Sequence, residues 1–538
     1  MPGMIVAPQP LAVEEGAKVL MRGGNAYDAA VACACMQFIL DPHSCGVGGY
    51  LLLTHHPAQA RAPQPVLDAP ALAGSRVTPT MWEGHVRGPN PSGWGFFLRD
   101  KINDDGYQSI CTPGILRGLE AIHQAWCTWK WADLIAPAVQ TAEDGFVVGA
   151  HLAGRWKDKP QFYEDSSLLQ KLHVSAAAGK IYLKSDGTPY DEGDVLRNPD
   201  YARTLRRLAS AGADDFYSGQ LAETISADLA EHGSWVTPQD LAAYRVRDEA
   251  PVVTTYRGYT VITSPAPHGG PTLAALLKIL EGYDLSSMPH NSSEYIHLVA
   301  MAMKGAFADR NRLLGDPHFV DVPLEEMISD QRAAQWRKVI DAGEPIDTTR
   351  IQPGSKNTTQ VTVVDKAGNC VSLTHSLGSS SGVITSGLGF MYNNSMINFH
   401  PYAGHPNSIA PQKGRTTGMT PTIVLDDNQP VLVLGAPGAT RIITAVLQVI
   451  LNRLDFGMSI TEAVLAPRFD CQGETIFCQA RIPEFVCAQV RKKHPIRRIP
   501  EAHGGMALVH AIARQPETGR LEGAADSGSD GMALLVDE

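Results

Sequence analysis

Residues 358–365 read Thr358-Thr359-Gln360-Val361-Thr362-Val363-Val364-Asp365, a β-branched run headed by two threonines. Such side chains pack well on the pleated surface of a strand. The run ends in the turn Lys366-Ala367-Gly368-Asn369, which contains glycine, and resumes as Cys370-Val371-Ser372-Leu373-Thr374. Two such runs around a short turn predict a β-hairpin whose first strand opens at Thr358.

Thr358 acquires a chemical role if the peptide bond between Asn357 and Thr358 is cut. It then carries a free α-amine beside its own hydroxyl. An α-amine has an ordinary pKa of about 8 and can accept the hydroxyl proton. One residue would supply both nucleophile and base, so no catalytic histidine or aspartate is required. The alternative interpretation is structural, because threonine pairs are common at strand starts.

The composition is typical of a globular protein. The chain has 538 residues, of which 44% are hydrophobic and 19% charged, which excludes disordered and fibrous classes. The formal net charge is -11, and the most basic cluster, residues 491–498, is short. We predict that this cluster is a solvated face, with no nucleic-acid partner. No uncharged run of about 18 apolar residues occurs, so we expect no membrane partner.

The cysteines give no sign of a metal site. The nine cysteines are odd in number and follow no zinc spacing, and Cys33 and Cys35 lie in an alanine-rich apolar run. They are predicted to be buried thiols. No secretory signal precedes Met4-Ile5-Val6-Ala7, which favours a cytoplasmic location if this is the natural N-terminus.

Local patterns predict further elements along the chain. An amphipathic helix is expected over Pro10–Met21, ended by Gly23-Gly24, and a second over Ala26–Leu40, capped by Asn25. Two strands are predicted over residues 420–425 and 431–435. The second leads into Ala436-Pro437-Gly438-Ala439 and a helix over residues 440–454. A glycine turn before a helix leaves backbone N–H groups that can bind an oxyanion.

Several stretches together identify a family. Asn357-Thr358-Thr359 precedes Val363-Val364-Asp365-Lys366-Ala367-Gly368-Asn369, and Asn393-Asn394 follows; residues 23–32 and 46–49 add glycine-rich patterns. In these stretches the chain resembles gamma-glutamyltransferases, which are self-cleaving N-terminal nucleophile hydrolases. The similarity extends over nearly the whole chain. It implies an α+β fold, a four-layer αββα sandwich.

The resemblance also implies two linked reactions at one residue. Thr358 first attacks the Asn357 carbonyl, which separates a large portion, residues 1–357, from a small portion, residues 358–538, within one intertwined fold. The freed Thr358 then attacks an amide, and water or an amine takes the acyl group. Ser376 stands where relatives orient the nucleophile, and Gly438 and Ala439 where they have an oxyanion loop of two glycines. No metal or organic cofactor is implied.

The positions that would bind the acyl group depart from the glutamyl pattern. Relatives hold the substrate ammonium with an aspartate and a neighbouring Glu or Gln, and here Asn398 and Ser395 occupy those positions. Gly378 stands where many relatives have asparagine. A neutral amide in place of a carboxylate removes an ion pair, so an obligate ammonium is not expected.

The positions that would bind a substrate carboxylate are partly retained. Arg76 stands near the arginine that binds this group in relatives. Thr417-Gly418 replaces a serine pair whose hydroxyls meet the carboxylate, and Thr417 can still donate a hydrogen bond. By contrast, Met81–Tyr107 matches the family poorly, and it is interpreted as an insertion that shapes a pocket or an interface. His268 is interpreted as a capping or loop residue.

Three hypotheses follow. The first is an amidohydrolase acting on a small carboxylate-bearing amide without the glutamyl ammonium, like oxamate amidohydrolases and glutaryl-cephalosporin acylases. The second is a genuine gamma-glutamyl hydrolase or transpeptidase acting on glutathione-like substrates. The third is a non-catalytic relative that keeps the fold for binding. The intact Thr358 and the glycine loop favour the first two.

Overall fold

The computed structural model describes residues 2–89, 96–158, 166–347, 358–515 and 518–537. Asn357, and with it the expected cleavage site, lies outside these residues. The strands of the described residues are β1 (Gly3–Ala7), β2 (Tyr50–His56), β3 (Val66–Ala69), β4 (Val86–Pro89), β5 (Phe96–Leu98), β6 (Phe146–Val147), β7 (Val195–Leu196), β8 (Arg247–Glu249), β9 (Val252–Tyr256), β10 (Tyr259–Thr263), β11 (Thr359–Val364), β12 (Cys370–Ser376), β13 (Thr422–Asp426), β14 (Gln429–Gly435), β15 (Phe469–Asp470), β16 (Ile476–Cys478), β17 (Ile496–Arg498), β18 (His510–Arg514), β19 (Leu521–Ala525) and β20 (Met532–Val536). The α-helices are α1 (Pro10–Met21), α2 (Ala26–Leu40), α3 (Ile115–Trp126), α4 (Trp131–Asp144), α5 (Ala150–Lys157), α6 (Leu168–Lys171), α7 (Ala176–Tyr182), α8 (Pro199–Ala211), α9 (Asp214–Tyr217), α10 (Gln220–Glu231), α11 (Pro238–Ala243), α12 (Gly270–Leu280), α13 (Ser293–Leu313), α14 (Leu324–Met327), α15 (Asp330–Asp341), α16 (Arg441–Leu454), α17 (Ile460–Leu465) and α18 (Glu484–Val490).

The predicted hairpin is confirmed and lies at the centre of a seven-stranded sheet. β11 and β12 pair antiparallel, from Thr359 opposite His375 to Val364 opposite Cys370, in the strand order β20-β1-β11-β12-β2-β3-β8. Asp365 shapes the turn, because its carboxylate accepts hydrogen bonds from the N–H groups of Ala367 and Asn369. The hairpin therefore places Thr358 directly at the start of β11.

A second, six-stranded sheet stacks on the first. Its order is β19-β18-β14-β13-β10-β9, and β14 and β18 of this sheet pack against β12 and β11 of the first. Apolar side chains of both sheets, including Val6, Val364 and Ile423, fill the space between them. The predicted turn between β13 and β14 has Asp427 and Asn428 at positive φ, which matches the twist of a tight hairpin.

Helices cover the outer face of each sheet. On the first sheet, α2 packs against β11 and β12 and α3 against β2; on the second, α12 packs against β9 and α16 against β14. Asn25 caps α2 as predicted, in a reciprocal capping box with Asp28. The four-layer αββα sandwich is confirmed. Both sheets combine strands that precede and follow Thr358, such as β1 beside β11 and β10 beside β13.

The segment over residues 81–107, expected to be an insertion, packs behind one wall of the pocket described below. It contains β4 and β5, and residues 90–95 within it lie outside the described part of the chain. Its Trp82 is buried in an apolar cluster with Tyr50, Met396 and Met419. The segment therefore supports residues that belong to the site.

Several sequence expectations concern the surface and the thiols. All nine cysteines are free thiols, and eight of them are buried. In the basic cluster, Arg491 and Arg498 are exposed and face Glu484. Among the described residues, no helix is long and apolar enough to cross a bilayer, and no cluster of three His, Cys, Asp or Glu side chains suits a metal ion.

Candidate active site

The hairpin brings Thr358 and Ser376 together across its open end. Thr358 Oγ1 lies 3.2 Å from Ser376 Oγ, within hydrogen-bond distance. The N–H of Gly378 donates to Ser376 Oγ at 2.9 Å, which fixes this hydroxyl. Gly378 has φ of 77°, a conformation that glycine adopts without strain. The position of Gly378 therefore supports the side chain next to Thr358.

Thr358 lies in the wall of a small pocket. The pocket collects residues that are far apart in the sequence, and those of the described chain that line it are Tyr50, Thr358, Asn398, Thr416, Thr417, Gly418, Met419, Ala439, Thr440 and Ile442.

The loop before α16 has the geometry expected of an oxyanion site. Gly438 and Ala439 both have positive φ, 136° and 60°, and the N–H groups of both lack an acceptor among the described residues. Gly418 lies against this loop, where a Cβ would come within 2.0 Å of the Ala439 carbonyl oxygen. Glycine at 418 thus allows the two pocket walls to approach each other.

The end of the pocket near Asn398 is neutral. Asn398 Oδ1 is buried without a hydrogen-bond partner among the described residues, and no Asp or Glu is among the lining residues of the described chain. Ser395 is fully buried and does not line the pocket. Its Oγ also makes no hydrogen bond among the described residues. A substrate ammonium would find no counter-ion in this lining.

Sequence reasoning missed a buried chain of hydrogen bonds that ends at the pocket. His268 Nε2 lies 3.0 Å from Asp68 Oδ2, and His268 Nδ1 lies 2.8 Å from Thr417 Oγ1. Arg310 donates to the backbone carbonyls of both His268 and Thr417. His268 therefore positions a pocket residue, whereas the sequence indicated only a capping or loop role. No local signal could reveal this, because the three partners are 149 and 200 residues apart.

The structure does not bring Arg76 to the pocket. Arg76 is exposed, its guanidinium donates to the backbone carbonyl of Ser234, and it is absent from the described lining. A different arginine, Arg415, is buried beside the lining residue Tyr50, with its guanidinium carbon 4.1 Å from the ring centroid. No sequence motif singles out Arg415, and only its burial in the structure draws attention to it.

Fold and pocket together define a class. Two stacked antiparallel sheets between helical layers, with a threonine opening a central strand beside a small pocket, are typical of N-terminal nucleophile hydrolases. The chain belongs to the gamma-glutamyltranspeptidase family, whose family model, described as Gamma-glutamyltranspeptidase, matches residues 12–536. The family expected from the sequence is confirmed, and with it the class of self-processing hydrolases and acyltransferases.

Relatives include both acylases and glutathione hydrolases. The chain is 35% identical to the acylase ACY 1 proenzyme of Pseudomonas sp. (strain SE83), over 99% of this chain and 93% of the relative. It is 33% identical to the glutathione hydrolase proenzyme of Escherichia coli (strain K12), over 87% and 81%. A crystal structure of cephalosporin acylase from Bacillus halodurans matches with a TM-score of 0.85 and 26% identity, over 99% of this chain and 95% of that one.

Proposed function

We propose that this chain is a threonine amidohydrolase that cuts its own Asn357–Thr358 bond and then hydrolyses a small amide whose acyl group carries a carboxylate and no α-ammonium. The large portion, residues 1–357, and the small portion, residues 358–538, stay together after the cut. The interleaved strands of both sheets support this, because neither portion contains a complete sheet.

Self-cleavage uses the side chain of Thr358. Its hydroxyl oxygen attacks the Asn357 carbonyl carbon, and the C–N bond breaks to give an ester and the free α-amine of Thr358. Water then hydrolyses the ester, which leaves a carboxylate on Asn357 and restores the hydroxyl. The interaction of Ser376 Oγ with Thr358 Oγ1, at 3.2 Å, supports an orienting role for Ser376 in this step.

Amide hydrolysis uses the same atoms. The α-amine of Thr358 takes the hydroxyl proton as Oγ1 attacks the substrate carbonyl, and the N–H groups of Gly438 and Ala439 bind the oxyanion. The leaving amine takes the proton, and an ester on Thr358 remains. Water, or an amine acceptor, then takes the acyl group. Loss of one oxyanion donor typically costs about 2.7–4 kcal/mol of barrier.

The observation that carries the substrate class is the neutral wall at Asn398. Asn398 stands where the resemblance places an aspartate, and the described lining holds no carboxylate. An ammonium there would lose a charge-assisted hydrogen bond, about 1.5–3 kcal/mol. The relatives named acylase agree with this choice. The glutathione hydrolase relatives keep a gamma-glutamyl substrate as the second candidate.

Two measurements test the proposal. Intact mass under denaturing conditions should show the wild type as two chains split before Thr358, and Thr358→Ala as one uncut chain. Glutaryl p-nitroanilide and γ-glutamyl p-nitroanilide differ only in the α-amino group. We expect kcat/KM for the glutaryl substrate to be higher by about tenfold or more, as 1.5–3 kcal/mol implies, with oxamate tested beside them. Faster turnover of the γ-glutamyl substrate would favour the second candidate, and an uncut wild type would contradict the mechanism.

A further inference from the structure

Arg415 is a buried cation without a counter-ion among the described residues. It is 2% exposed, and neither its Nε nor its Nη2 makes a hydrogen bond among the described residues. Two other fully buried arginines do make hydrogen bonds through their guanidinium groups: Arg468 pairs with Asp526, and Arg310 donates to two backbone carbonyls. A buried charge is normally compensated by a partner, so the unpartnered donors of Arg415 require an explanation.

The neighbours of Arg415 do not neutralise it. The Tyr50 ring, 4.1 Å from the guanidinium carbon, compensates a cation only weakly. Burial raises the pKa of the Cys111 thiol to about 12, although Arg415 favours its thiolate, so Cys111 stays neutral. Asp316 accepts a hydrogen bond from the N–H of Gly414 but is paired with Arg247.

Arg415 lies directly behind the pocket lining and is not itself one of the lining residues. It directly precedes Thr416 and Thr417, which both line the pocket, and it stacks on Tyr50, which does so too. Asn407 ties this wall to the opposite one, since its Oδ1 accepts from the N–H of Thr416 and its Nδ2 donates to the carbonyl of Asn398. Arg415 is thus connected to the pocket lining in two ways, through its neighbours in the chain and through Tyr50.

We propose that Arg415 binds the carboxylate of the substrate's acyl group, so that the pocket selects monoamides of short dicarboxylic acids; this rests on the proposed function. Nε and Nη2 lie on the same edge of the guanidinium, the edge that a carboxylate can engage with two parallel hydrogen bonds. Tyr50 stacks on the face of the group, so its ring does not occupy that edge. Arg415 would thereby take the role that the resemblance assigned to Arg76.

The test compares glutaryl p-nitroanilide with its terminal carboxamide, a neutral substrate of the same shape. We expect Arg415→Gln to lower kcat/KM for the carboxylate substrate by about a hundredfold, mainly through KM, because it removes a charged bidentate contact. Turnover of the carboxamide should change by less than about threefold. Arg415→Lys should recover only part of the preference, since an ammonium lacks the planar fork. Arg497→Gln, an exposed change in the basic cluster, is the matched control.

Self-cleavage, followed by intact mass, reports the folding of each variant. The proposal would be overturned if Arg415→Gln lowered kcat/KM equally for both substrates. It would also be overturned if Arg76→Gln, and not Arg415→Gln, removed the preference for the carboxylate substrate. If Arg415→Gln does not fold, the wild type still gives a result: glutarate should inhibit competitively and butyrate should not, and equal inhibition by both would contradict the proposal. A wild type that hydrolyses no glutaryl amide would fail the proposed function itself, which separates the two conclusions.

Discussion

One backbone N–H sets the direction of the Ser376 hydroxyl. Because Gly378 N–H donates to Ser376 Oγ at 2.9 Å, one acceptor position of that oxygen is occupied. The Ser376 proton can then face Thr358 Oγ1, 3.2 Å away. A hydroxyl donor at this place stabilises negative charge as it develops on the threonine oxygen.

Replacement of Ser376 by alanine should slow both reactions of Thr358. A hydrogen bond to a charged group contributes about 1.5–3 kcal/mol, so we expect a roughly 10- to 150-fold fall in kcat and in the self-cleavage rate, with little change in KM. Stopped samples analysed by intact mass, and steady-state kinetics, measure the two rates. Ser372→Ala is the control on the same strand, since Ser372 Oγ donates to the Leu434 carbonyl and faces the other sheet. Ser376→Ala with wild-type rates would remove Ser376 from the mechanism.

At the scale of elements, a buried ion pair anchors the segment over residues 81–107. Lys171, at the end of α6, is 1% exposed, and its Nζ lies 2.7 Å from Asp104 and 2.9 Å from Asp105. It also donates to the carbonyl of Ser380, while Asn394 Nδ2 donates to Asp104 at 2.7 Å. One ammonium therefore joins the segment to the loop that follows β12.

Lys171→Met should destabilise the protein strongly. It leaves two partly buried carboxylates side by side without a cation, and breaking a buried pair in this way costs up to about 3–5 kcal/mol of unfolding free energy. Urea unfolding in a Thr358→Ala background measures this, because that chain should stay in one piece. Lys157→Met is the control: Lys157 pairs with Asp191 at the surface, where the loss should be much smaller. If Lys171→Met and Lys157→Met unfolded at the same urea concentration, Lys171 would not anchor the segment over residues 81–107.

At the scale of the whole molecule, local sequence patterns predicted individual strands and helices. The candidate active site, by contrast, is formed by contacts between residues that are far apart in the sequence. The hairpin at Thr358 and the capped helix after Asn25 follow from periodicity and turn residues that lie close together in the sequence. The layered arrangement came from the family resemblance. Arg415 and the His268–Thr417 contact could not be predicted, because burial and approach across 149 residues leave no local signal. Arg76 was expected at the pocket from the family resemblance, whereas in the structure its side chain is exposed and contacts the backbone of Ser234.

The protein also contains buried neutral histidines, which make its stability depend on pH. Burial lowers the pKa of His375 and His43 to about 3, and that of His510 to about 4. Below the ordinary histidine pKa of about 6.5 the unfolded chain binds protons that the folded chain does not. Stability should therefore be highest above that pH and fall as the pH drops towards the folded pKa values.

His375→Gln should make this acid dependence shallower. His375 Nε2 lies 2.7 Å from Gln37 Oε1, and its Nδ1 is buried without a partner in the described chain, so a second proton would have no acceptor. Removal of the His375 imidazole should make the unfolding free energy depend less steeply on pH. Between pH 6 and pH 4 the slope should fall by up to about 1.4 kcal/mol per pH unit. Urea unfolding of Thr358→Ala with and without the change measures the slope, and His173→Gln, at an exposed position, serves as control. An unchanged slope for His375→Gln would mean that His375 takes up its proton in the folded protein, and that Gln37 and β12 move to accommodate the charge.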